Sequence, residues 1–291
     1  MGSTLAIDIG GTKFTLALFQ EGAITRRETH PTDRAGGRDW MLRRIAGIVR
    51  GWNTPFDRCG IGFGGPVNFA GQRIELSTHV GGWADFDLGR WARETLGLPP
   101  GRDAVIDNDA NCGALGEALH GAGVGFRPLF YLTLSTGIGG GIVLGDDSLY
   151  RGADSWAGEI GHAPLRPPSD PDAPQCLCGS TGCFERLCGG LWLDRDHGKP
   201  AKDLMLDERF VKGYVVDVAQ GLKIAIMLIN PARIVIGGGI AKAGDRLFVP
   251  LRAELARQMP AWSRARIEVV PAALDDASVL WGAYEIANLE K

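Results

Sequence analysis

The chain has 291 residues, 45% of them hydrophobic and 22% charged, with a formal net charge of −3 at pH 7. This composition is typical of a globular protein long enough for two domains, and its mild acidity argues against binding to nucleic acid or to a membrane surface. No apolar run approaches the ~20 residues of a membrane-spanning helix. We see no signal peptide, and six cysteines in such a chain favour reduced thiols or metal ligands, so we expect a cytoplasmic protein.

The first part of the chain alternates short apolar segments with glycine turns. Residues 5–9 and 13–19 predict two strands of a hairpin around a glycine turn, followed by a third strand at 23–28. Apolar residues at helical spacing predict a helix over 39–52. Two further strands and one helix are then expected, at 59–63, at 104–106 and from about 108 to 120.

The same order of elements then recurs. A strand at 129–134, a glycine turn at 137–141 and a strand at 142–144 repeat the opening hairpin. A long helix over 211–229, a strand at 233–236 and a C-terminal helix over 277–288 complete the pattern, and the polar run 194–208 is predicted to be a surface connection. We therefore expect two similar α/β lobes that face each other across a cleft. The N-terminal lobe would hold 1–112, with 275–291 returning to it, and the C-terminal lobe 113–274.

One histidine and three clustered cysteines predict a metal site. His162, Cys176, Cys178 and Cys183 form a ligand set suited to a closed, tetrahedral, structural Zn²⁺ site. Free thiols or a disulfide in a loop are the alternatives. Glu159 lies three residues before this histidine and Glu185 two residues after the last cysteine, so a bound metal would hold two carboxylates in place.

Three glycine turns are suited to phosphates and a nucleoside. Asp8 ends a strand beside Gly10 and Gly11, whose backbone N–H groups can approach an anion, and its carboxylate can reach Mg²⁺, usually through water. The stretch 135–141 repeats this arrangement with two hydroxyls added, and the turn at 237–239 has room for a flat ring or a ribose. None matches the P-loop or the dinucleotide fingerprint. Each alone could be an ordinary turn, but together they favour a nucleotide site.

A candidate general base lies in the segment 107–111, at a junction between a strand and a helix. Asp107 or Asn108 could simply cap the helix. A cap uses one of them, however, and does not require four polar residues in five. A carboxylate at a helix N-terminus that faces a cleft is well placed to accept a proton from a hydroxyl group.

In this order, these motifs resemble the ROK family of sugar kinases and related repressors. The matching segments are Asp8-x-Gly-Gly-Thr-Lys13, Gly64-Gly65-Pro66-Val67, Asn108-Asp109-Ala110-Asn111, Ser135-Thr136-Gly137-x-Gly139-Gly140-Gly141, Gly158-Glu159-Ile160-Gly161-His162, the cysteine segment 176–185 and Gly237-Gly238-Gly239. The resemblance implies the two-lobed, actin-like (ribonuclease-H-like) ATPase fold, with ATP phosphates bound between the lobes. It also implies a sugar substrate and commonly a homodimer.

The resemblance also implies a role for each matching residue. Asp109 would be the catalytic base that takes the proton from a sugar hydroxyl, usually O6, and His162 would bind Zn²⁺ through one ring nitrogen and sugar through the other. Asp8 would hold Mg²⁺. The other sugar-binding residues would be Gly65, Asn108, Glu159 and Glu185. The remaining nucleotide-binding residues would be Gly10, Gly11, Thr12, Lys13, Ser135, Thr136, Gly137, Gly139, Gly140, Gly237, Gly238 and Gly239.

One position departs from the family pattern. Many sugar-kinase members carry a Pro-Asn-Leu-x-x-Trp segment whose asparagine contacts the sugar. Here Trp83 is kept and His79 occupies the place of that asparagine. This histidine either binds a different hydroxyl or packs within its loop. Glucose is the default substrate, and other hexoses and N-acetylhexosamines stay open.

Two other functions are consistent with the same family pattern. Repressor members carry a winged helix-turn-helix ahead of the first glycine turn, and that turn begins here at Asp8, which argues against this reading. A catalytically silent protein that binds sugar or nucleotide has no motif in its favour. ATP is the expected phosphate donor, with polyphosphate as the alternative.

Overall fold

The computed structural model describes residues 2–77, 80–259 and 267–289, so His79 lies outside the described residues. The chain divides into two compact units. The first comprises Met1–Gly116, Arg151–Trp156 and Ala277–Lys291, and the second comprises Glu117–Tyr150 and Ala157–Asp276. In the part of the chain that the structure describes, no helix has both the length and the apolar character needed to span a bilayer.

Both units are mixed α/β structures. The strands of the first unit are β1 (Thr4–Ile9), β2 (Lys13–Gln20), β3 (Ala23–Pro31), β4 (Arg58–Phe63), β5 (Val67–Asn68), β6 (Arg73–Ile74) and β7 (Ala104–Asn108). Its helices are α1 (Gly37–Trp52), α2 (Leu88–Thr95), most of α3 (Asp109–His120), and α9 (Ser278–Asn288) near the C-terminus. The strands of the second unit are β8 (Leu129–Leu134), β9 (Ile138–Val143), β10 (Arg233–Gly237) and β11 (Glu268–Pro271). Its helices are α4 (Phe184–Cys188), α5 (Gly190–His197), α6 (Ala201–Leu204), α7 (Glu208–Ile229) and α8 (Asp245–Gln258).

The sheet of the first unit has the strand order β3-β2-β1-β4-β7. Strand β1 runs antiparallel to β2 and parallel to β4, which runs parallel to β7. Because β1 is covered on both faces, it is an almost continuous apolar run. Leu5 and Ile7 lie in one core cluster with Met41 and Ile45 of α1, whereas Ala6 lies in another cluster with α9.

The second unit repeats this arrangement with the order β11-β10-β8-β9. Here β8 runs antiparallel to β9 and parallel to β10, which runs parallel to β11. The four strands therefore correspond to β7, β4, β1 and β2 of the first unit. The duplication predicted from the sequence is confirmed by this shared strand order.

Two local predictions are wrong. Strand β9 begins at Ile138, so the second glycine turn is confined to 135–137 and Gly139 and Gly140 are strand residues paired with Thr133 and Leu132. The polar run 194–208 is not a plain connection, since it holds the end of α5 and the whole of α6. The first error arises because the hydrogen bonds of a strand come from its neighbour, so glycines do not exclude it. The second arises because a polar run can still form helices, whose hydrogen bonds are internal.

A buried carboxylate at the end of α3 ties three segments of the second unit together. Glu117 is fully buried, and its Oε2 accepts hydrogen bonds from the N–H groups of Ala122 (2.8 Å) and Ala273 (3.0 Å). Its Oε1 accepts one from Leu274 at 2.9 Å. These donors satisfy a carboxylate that has no access to water, so the loop that follows β11 is held against the end of α3.

Glycines allow α9 to lie directly on its neighbours in the first unit. A Cβ atom on Gly282 would lie 1.7 Å from the carbonyl oxygen of Cys112 in α3. One on Gly60 of β4 would lie 1.8 Å from the carbonyl oxygen of Ala283. Backbone cannot move aside as a flexible side chain can, so these positions are restricted to glycine.

We expect the Gly282→Ala variant to lose about 1–3 kcal/mol or more of unfolding free energy, because the new methyl group forces α9 and α3 apart. The matched control is Gly47→Ala in α1, where a Cβ atom would have nothing within 4 Å. That change should stabilise the protein by about 0.5–1 kcal/mol through helix propensity. Denaturant unfolding followed by circular dichroism measures both. Equal stabilities for the two variants would contradict the close packing of α9.

Candidate functional site

Three carboxylates of the first unit lie at the carboxyl ends of its parallel strands. Asp8 of β1 is in register with Gly62 of β4, which is in register with Asp107 of β7. Beneath them, burial raises the pKa of the Cys112 thiol, and the negative charges of Asp107, Asp109 and Asp8 raise that pKa further. The structure therefore brings the predicted Mg²⁺ ligand and the predicted base into one electronegative region.

The side chain of Asn108 fixes the start of α3. Its Oδ1 accepts hydrogen bonds from the N–H groups of Ala110 (2.8 Å) and Asn111 (3.4 Å), so it caps the helix that Asp109 begins. Its Nδ2 donates to the carbonyl oxygen of Gly65 at 3.0 Å. Asp109 lies close to Gly64, since a Cβ atom there would be 3.3 Å from its Oδ2. The cap and the two glycines thus define the position of the half-buried Asp109.

A residue that the sequence analysis did not identify lies behind this segment. Arg151 donates to Asp107 Oδ2 through Nε (2.8 Å) and Nη2 (2.7 Å), and it lies over the ring of Phe69. Asp107 Oδ1 accepts from the Asn108 N–H (2.8 Å) and from Asn111 Nδ2 (2.9 Å). Burial raises the pKa of Asp107, and the charge of Arg151 opposes that rise. Nothing in the sequence pairs two residues that are 44 positions apart.

The first glycine turn is a tight hairpin connection. The N–H group of Gly10 donates to the carbonyl oxygen of Lys13 at 3.1 Å, so it closes the turn and does not point to an anion. Thr32 Oγ1 donates to the carbonyl oxygen of Gly10 at 2.9 Å, and Arg34 Nε donates to that of Gly11 at 2.9 Å. Arg34, also unforeseen from the sequence, places an exposed positive charge on this turn.

The second glycine turn is clamped by the start of α5. The N–H group of Ser135 donates to the carbonyl oxygen of Gly137 at 3.0 Å. The carbonyl oxygens of Ser135 and Thr136 accept from the N–H groups of Gly190 (2.8 Å) and Leu191 (3.0 Å). This helix start therefore binds the turn itself. In β9, the N–H group of Gly140 donates to Gly158 at 2.9 Å, which links the strand to the segment before Glu159.

The predicted sugar ligand Glu185 is joined to the same turn. It is buried in α4, and its Oε2 accepts a hydrogen bond from the N–H group of Ile138 at 2.8 Å. Gly161 packs on both, because a Cβ atom there would lie 2.2 Å from the carbonyl oxygen of Ile138 and 3.4 Å from the Cβ of Glu185. The half-buried Glu159 and His162 lie on either side of this glycine in the sequence. The second unit thus brings Glu185, and the segment that carries Glu159 and His162, to the glycine turn at 135–137.

The four predicted zinc ligands form a compact cluster. The ligand atoms of His162, Cys176, Cys178 and Cys183 all lie within 4.8 Å of one another. His162 Nδ1 is 3.9 Å from Cys176 Sγ, and Cys178 Sγ is 3.6 Å from Cys183 Sγ. Tetrahedral zinc with bonds of about 2.0–2.3 Å separates such ligands by about 3.5–3.8 Å, and a disulfide bond by only about 2.05 Å. The donor set fits a metal ion, and His162 presents Nδ1 to it.

The third glycine turn follows β10. Gly238 has a φ of +90°, and a Cβ atom there would lie 2.3 Å from the carbonyl oxygen of Leu134. A Cβ atom on Gly237 would lie 2.3 Å from the hydroxyl of Tyr131, whereas one on Gly239 would have nothing within 4 Å. Gly237 and Gly238 therefore fit the turn onto β8, and Gly239 is exposed.

Comparison with known proteins agrees with these features. The sequence matches the ROK family over residues 4–290. A glucokinase from Halalkalibacterium halodurans is 32% identical over an alignment of 326 positions, gaps included, that covers 98% of this chain and 95% of that protein. A ROK hexokinase structure from Thermus thermophilus matches with a TM-score of 0.80 at 30% identity over 99% of this chain and 98% of that one. The structure of a ROK family glucokinase from Streptomyces griseus, in complex with glucose and AMPPNP, matches with a TM-score of 0.85 at 27% identity. The match covers 99% of this chain and 100% of that one.

Two repeated α/β units with this strand order define the actin-like ATPase fold that the sequence predicts, and this fold class is confirmed. The chain belongs to the ROK family.

We expect the purified protein to contain about one zinc ion per chain, and Cys176→Ser to lose most of it, because three ligands bind far more weakly than four. Loss of zinc should also lower the thermal stability of the second unit. The matched control is Cys188→Ala, a buried thiol of the same unit outside the cluster. It should keep its zinc. Elemental analysis and thermal denaturation measure both quantities, and a zinc-free wild-type protein of unchanged stability would refute the site.

Proposed function

We propose that this protein transfers the γ-phosphoryl group of Mg-ATP to a hexose hydroxyl, O6, with glucose as the first substrate to test. The coarser assignment, a hexokinase-type phosphotransferase, follows from its family and from its similarity to glucokinases along nearly its whole length. The observation that carries the finer proposal is the grouping of Asp8, near the end of β1, and Asp109, just after the end of β7, at the same edge of one sheet, with β4 between the two strands.

Asp109 is proposed as the general base. It begins α3, and it lies against Gly64, where no side chain blocks a substrate. As base, it accepts the proton of the sugar hydroxyl as that oxygen bonds to the γ-phosphorus and the bond to the β-phosphate oxygen breaks. ADP then leaves with the electron pair of the broken bond. A correctly placed base of this kind contributes about 10²–10⁴-fold to the rate.

The sugar ligands are proposed to be Gly65, Asn108, Glu159, His162 and Glu185. Asn108 uses its oxygen for the helix cap and one amide hydrogen for Gly65, so a second amide hydrogen is its contribution to a sugar hydroxyl. His162 presents Nδ1 to the cysteines. Zinc, when bound, would fix the orientation and tautomer of this ring, which leaves Nε2 for the sugar. His79 is proposed to influence which sugar is accepted.

Nucleotide binding is proposed for the three glycine turns. Asp8 would hold Mg²⁺ through water. Gly11, Thr12 and Lys13 would contact the phosphates, and Gly10 would contribute by closing their turn. The other proposed nucleotide residues are Ser135, Thr136, Gly137, Gly139, Gly140, Gly237, Gly238 and Gly239. Positioning and stabilisation of charge account for most of the catalysis in phosphoryl transfer.

The reaction is tested by ADP release from Mg-ATP with a panel of hexoses and N-acetylhexosamines. We expect release that depends on one or a few of these sugars, with glucose among them. The same panel with polyphosphate in place of ATP decides which donor is used. It is followed by formation of the sugar phosphate, because polyphosphate releases no ADP. If no sugar is phosphorylated above the sugar-free background with either donor, the proposed transfer is wrong for these substrates.

We expect Asp109→Asn to fold normally and to lose about 10²–10⁴-fold in kcat, because an amide cannot accept the hydroxyl proton. The matched control is Asp103→Asn in the same unit, whose carboxylate is exposed and pairs with Arg93. It should retain full activity. Steady-state kinetics together with circular dichroism separate catalysis from folding, and robust turnover by Asp109→Asn would remove it from the role of base.

A homodimer and a cytoplasmic location stay predictions. The first rests on the family resemblance, and the second on the free cysteines, which include buried Cys59 and Cys112 in the core of the first unit. Light scattering on the purified protein measures its mass in solution.

A further inference from the structure

The buried ion pair between Arg151 and Asp107 has no part in the phosphoryl transfer as proposed so far. Asp107 is 2% exposed and Arg151 is 18% exposed, so both charges are largely removed from water. A buried ion pair adds little net stability compared with apolar residues of the same volume. Its presence directly behind the proposed base therefore requires a different explanation.

The pair is connected to Asp109 by short steps. Arg151 holds Asp107 Oδ2 with two nitrogens, which fixes the position of that oxygen. The other oxygen then accepts from the Asn108 N–H and from Asn111 Nδ2, on either side of Asp109 in the sequence. Asn108, directly before the base, and Asn111, two positions after it, are therefore both held by a carboxylate that Arg151 contacts.

One further contact within the first unit holds Arg151, and a second holds Ser155 of the same segment. Its guanidinium carbon lies 3.7 Å from the centre of the Phe69 ring, and the Phe69 N–H donates to Ser155 Oγ at 3.1 Å. The segment Arg151–Trp156 belongs to the first unit, although the chain on both sides of it belongs to the second. It therefore joins the first unit by contacts with Asp107 and Phe69.

We propose that Arg151 is a positioning residue for phosphoryl transfer, which acts through Asp107 to hold Asn108 and Asp109 in the geometry needed to accept the sugar proton. This inference rests on the proposed function, since it assumes that Asp109 is the base. Arg151 does not touch the sugar or the nucleotide in this account. Its effect appears in kcat, because a displacement of about 1 Å in a catalytic group can lower the rate about 10²-fold.

The test compares Arg151→Ala with Arg93→Ala. Arg93 is an exposed arginine of the same unit that pairs with Asp103, outside the proposed site. We expect Arg151→Ala to lose about 10–10²-fold in kcat with little change in the KM for ATP, since its contacts do not include the first glycine turn. Added guanidinium ion at millimolar concentration should restore part of this kcat. Arg93→Ala should keep wild-type kcat and show no response to guanidinium.

A second variant covers the case in which Arg151→Ala fails to fold, because it leaves the Asp107 charge buried without a partner. In Asp107→Asn/Arg151→Met both charges are removed, while the asparagine oxygen can still accept from Asn108 and Asn111. We expect this double variant to fold and to have a higher kcat than Arg151→Ala. If Arg151→Ala does not fold, a kcat for the double variant between those of wild type and Asp109→Asn supports the proposal.

The outcomes separate this inference from the proposed function. A wild-type protein without sugar-dependent transfer, or an active Asp109→Asn variant, refutes the proposed function and this inference with it. If Asp109→Asn is inactive while Arg151→Ala folds and keeps the wild-type kcat, only the proposed role of Arg151 is overturned. A reduced kcat that guanidinium does not raise, and that the double variant does not improve, also overturns it.

Discussion

A carboxylate that is removed from water needs hydrogen-bond donors, and this requirement organises the proposed site. Asp107, Glu117 and Glu185 are buried, and each accepts at least one backbone N–H group from a loop or from the first or last residue of a strand. An unpaired charge at any of these positions would cost several kcal/mol. The loops must therefore adopt the conformation that supplies the donors. The proposed sugar ligand Asn108 is itself one of these donors, and the second glycine turn directly precedes another, Ile138, so the geometry of both follows from satisfying the carboxylates.

The repeated strand order explains why similar turns occur in both units. In each unit a hairpin opens a sheet whose next strands are parallel to its first strand. The two hairpin turns close through their own backbone groups, Gly10 to Lys13 and Ser135 to Gly137. The second unit differs in the insertion between β9 and α7, which carries the cysteine cluster and α4–α6. The two units therefore share one strand order, and the second unit carries in addition the inserted segment with the cysteine cluster.

The cysteine cluster lies in a stretch with little regular structure to stabilise it. Between His162 and α4 the described residues form turns and isolated bridges, among them Pro164 with Cys183 and Gln175 with Thr181. Such a loop buries few apolar side chains, and a metal ion would provide the missing constraint. Glu185 comes two residues after the last cysteine, so a bound ion would also fix the start of the helix that holds this carboxylate.

The sequence by itself indicated two α/β halves and the duplicated hairpin, because apolar periodicity is a local signal. It also gave the predicted zinc ligands and the segment of the proposed base, because their close spacing is a local signal too, whereas the actin-like fold class followed from the resemblance of its motifs to a known family. It did not determine where β9 begins, since the pairing of Gly139 and Gly140 depends on β8. Nor could it reveal contacts between distant residues. Arg151 meets Asp107 across 44 positions, Glu185 meets Ile138 across 47, and Glu117 meets Leu274 across 157. Only the tertiary structure decided these, because they depend on how sheets, helices and loops pack once the chain is folded.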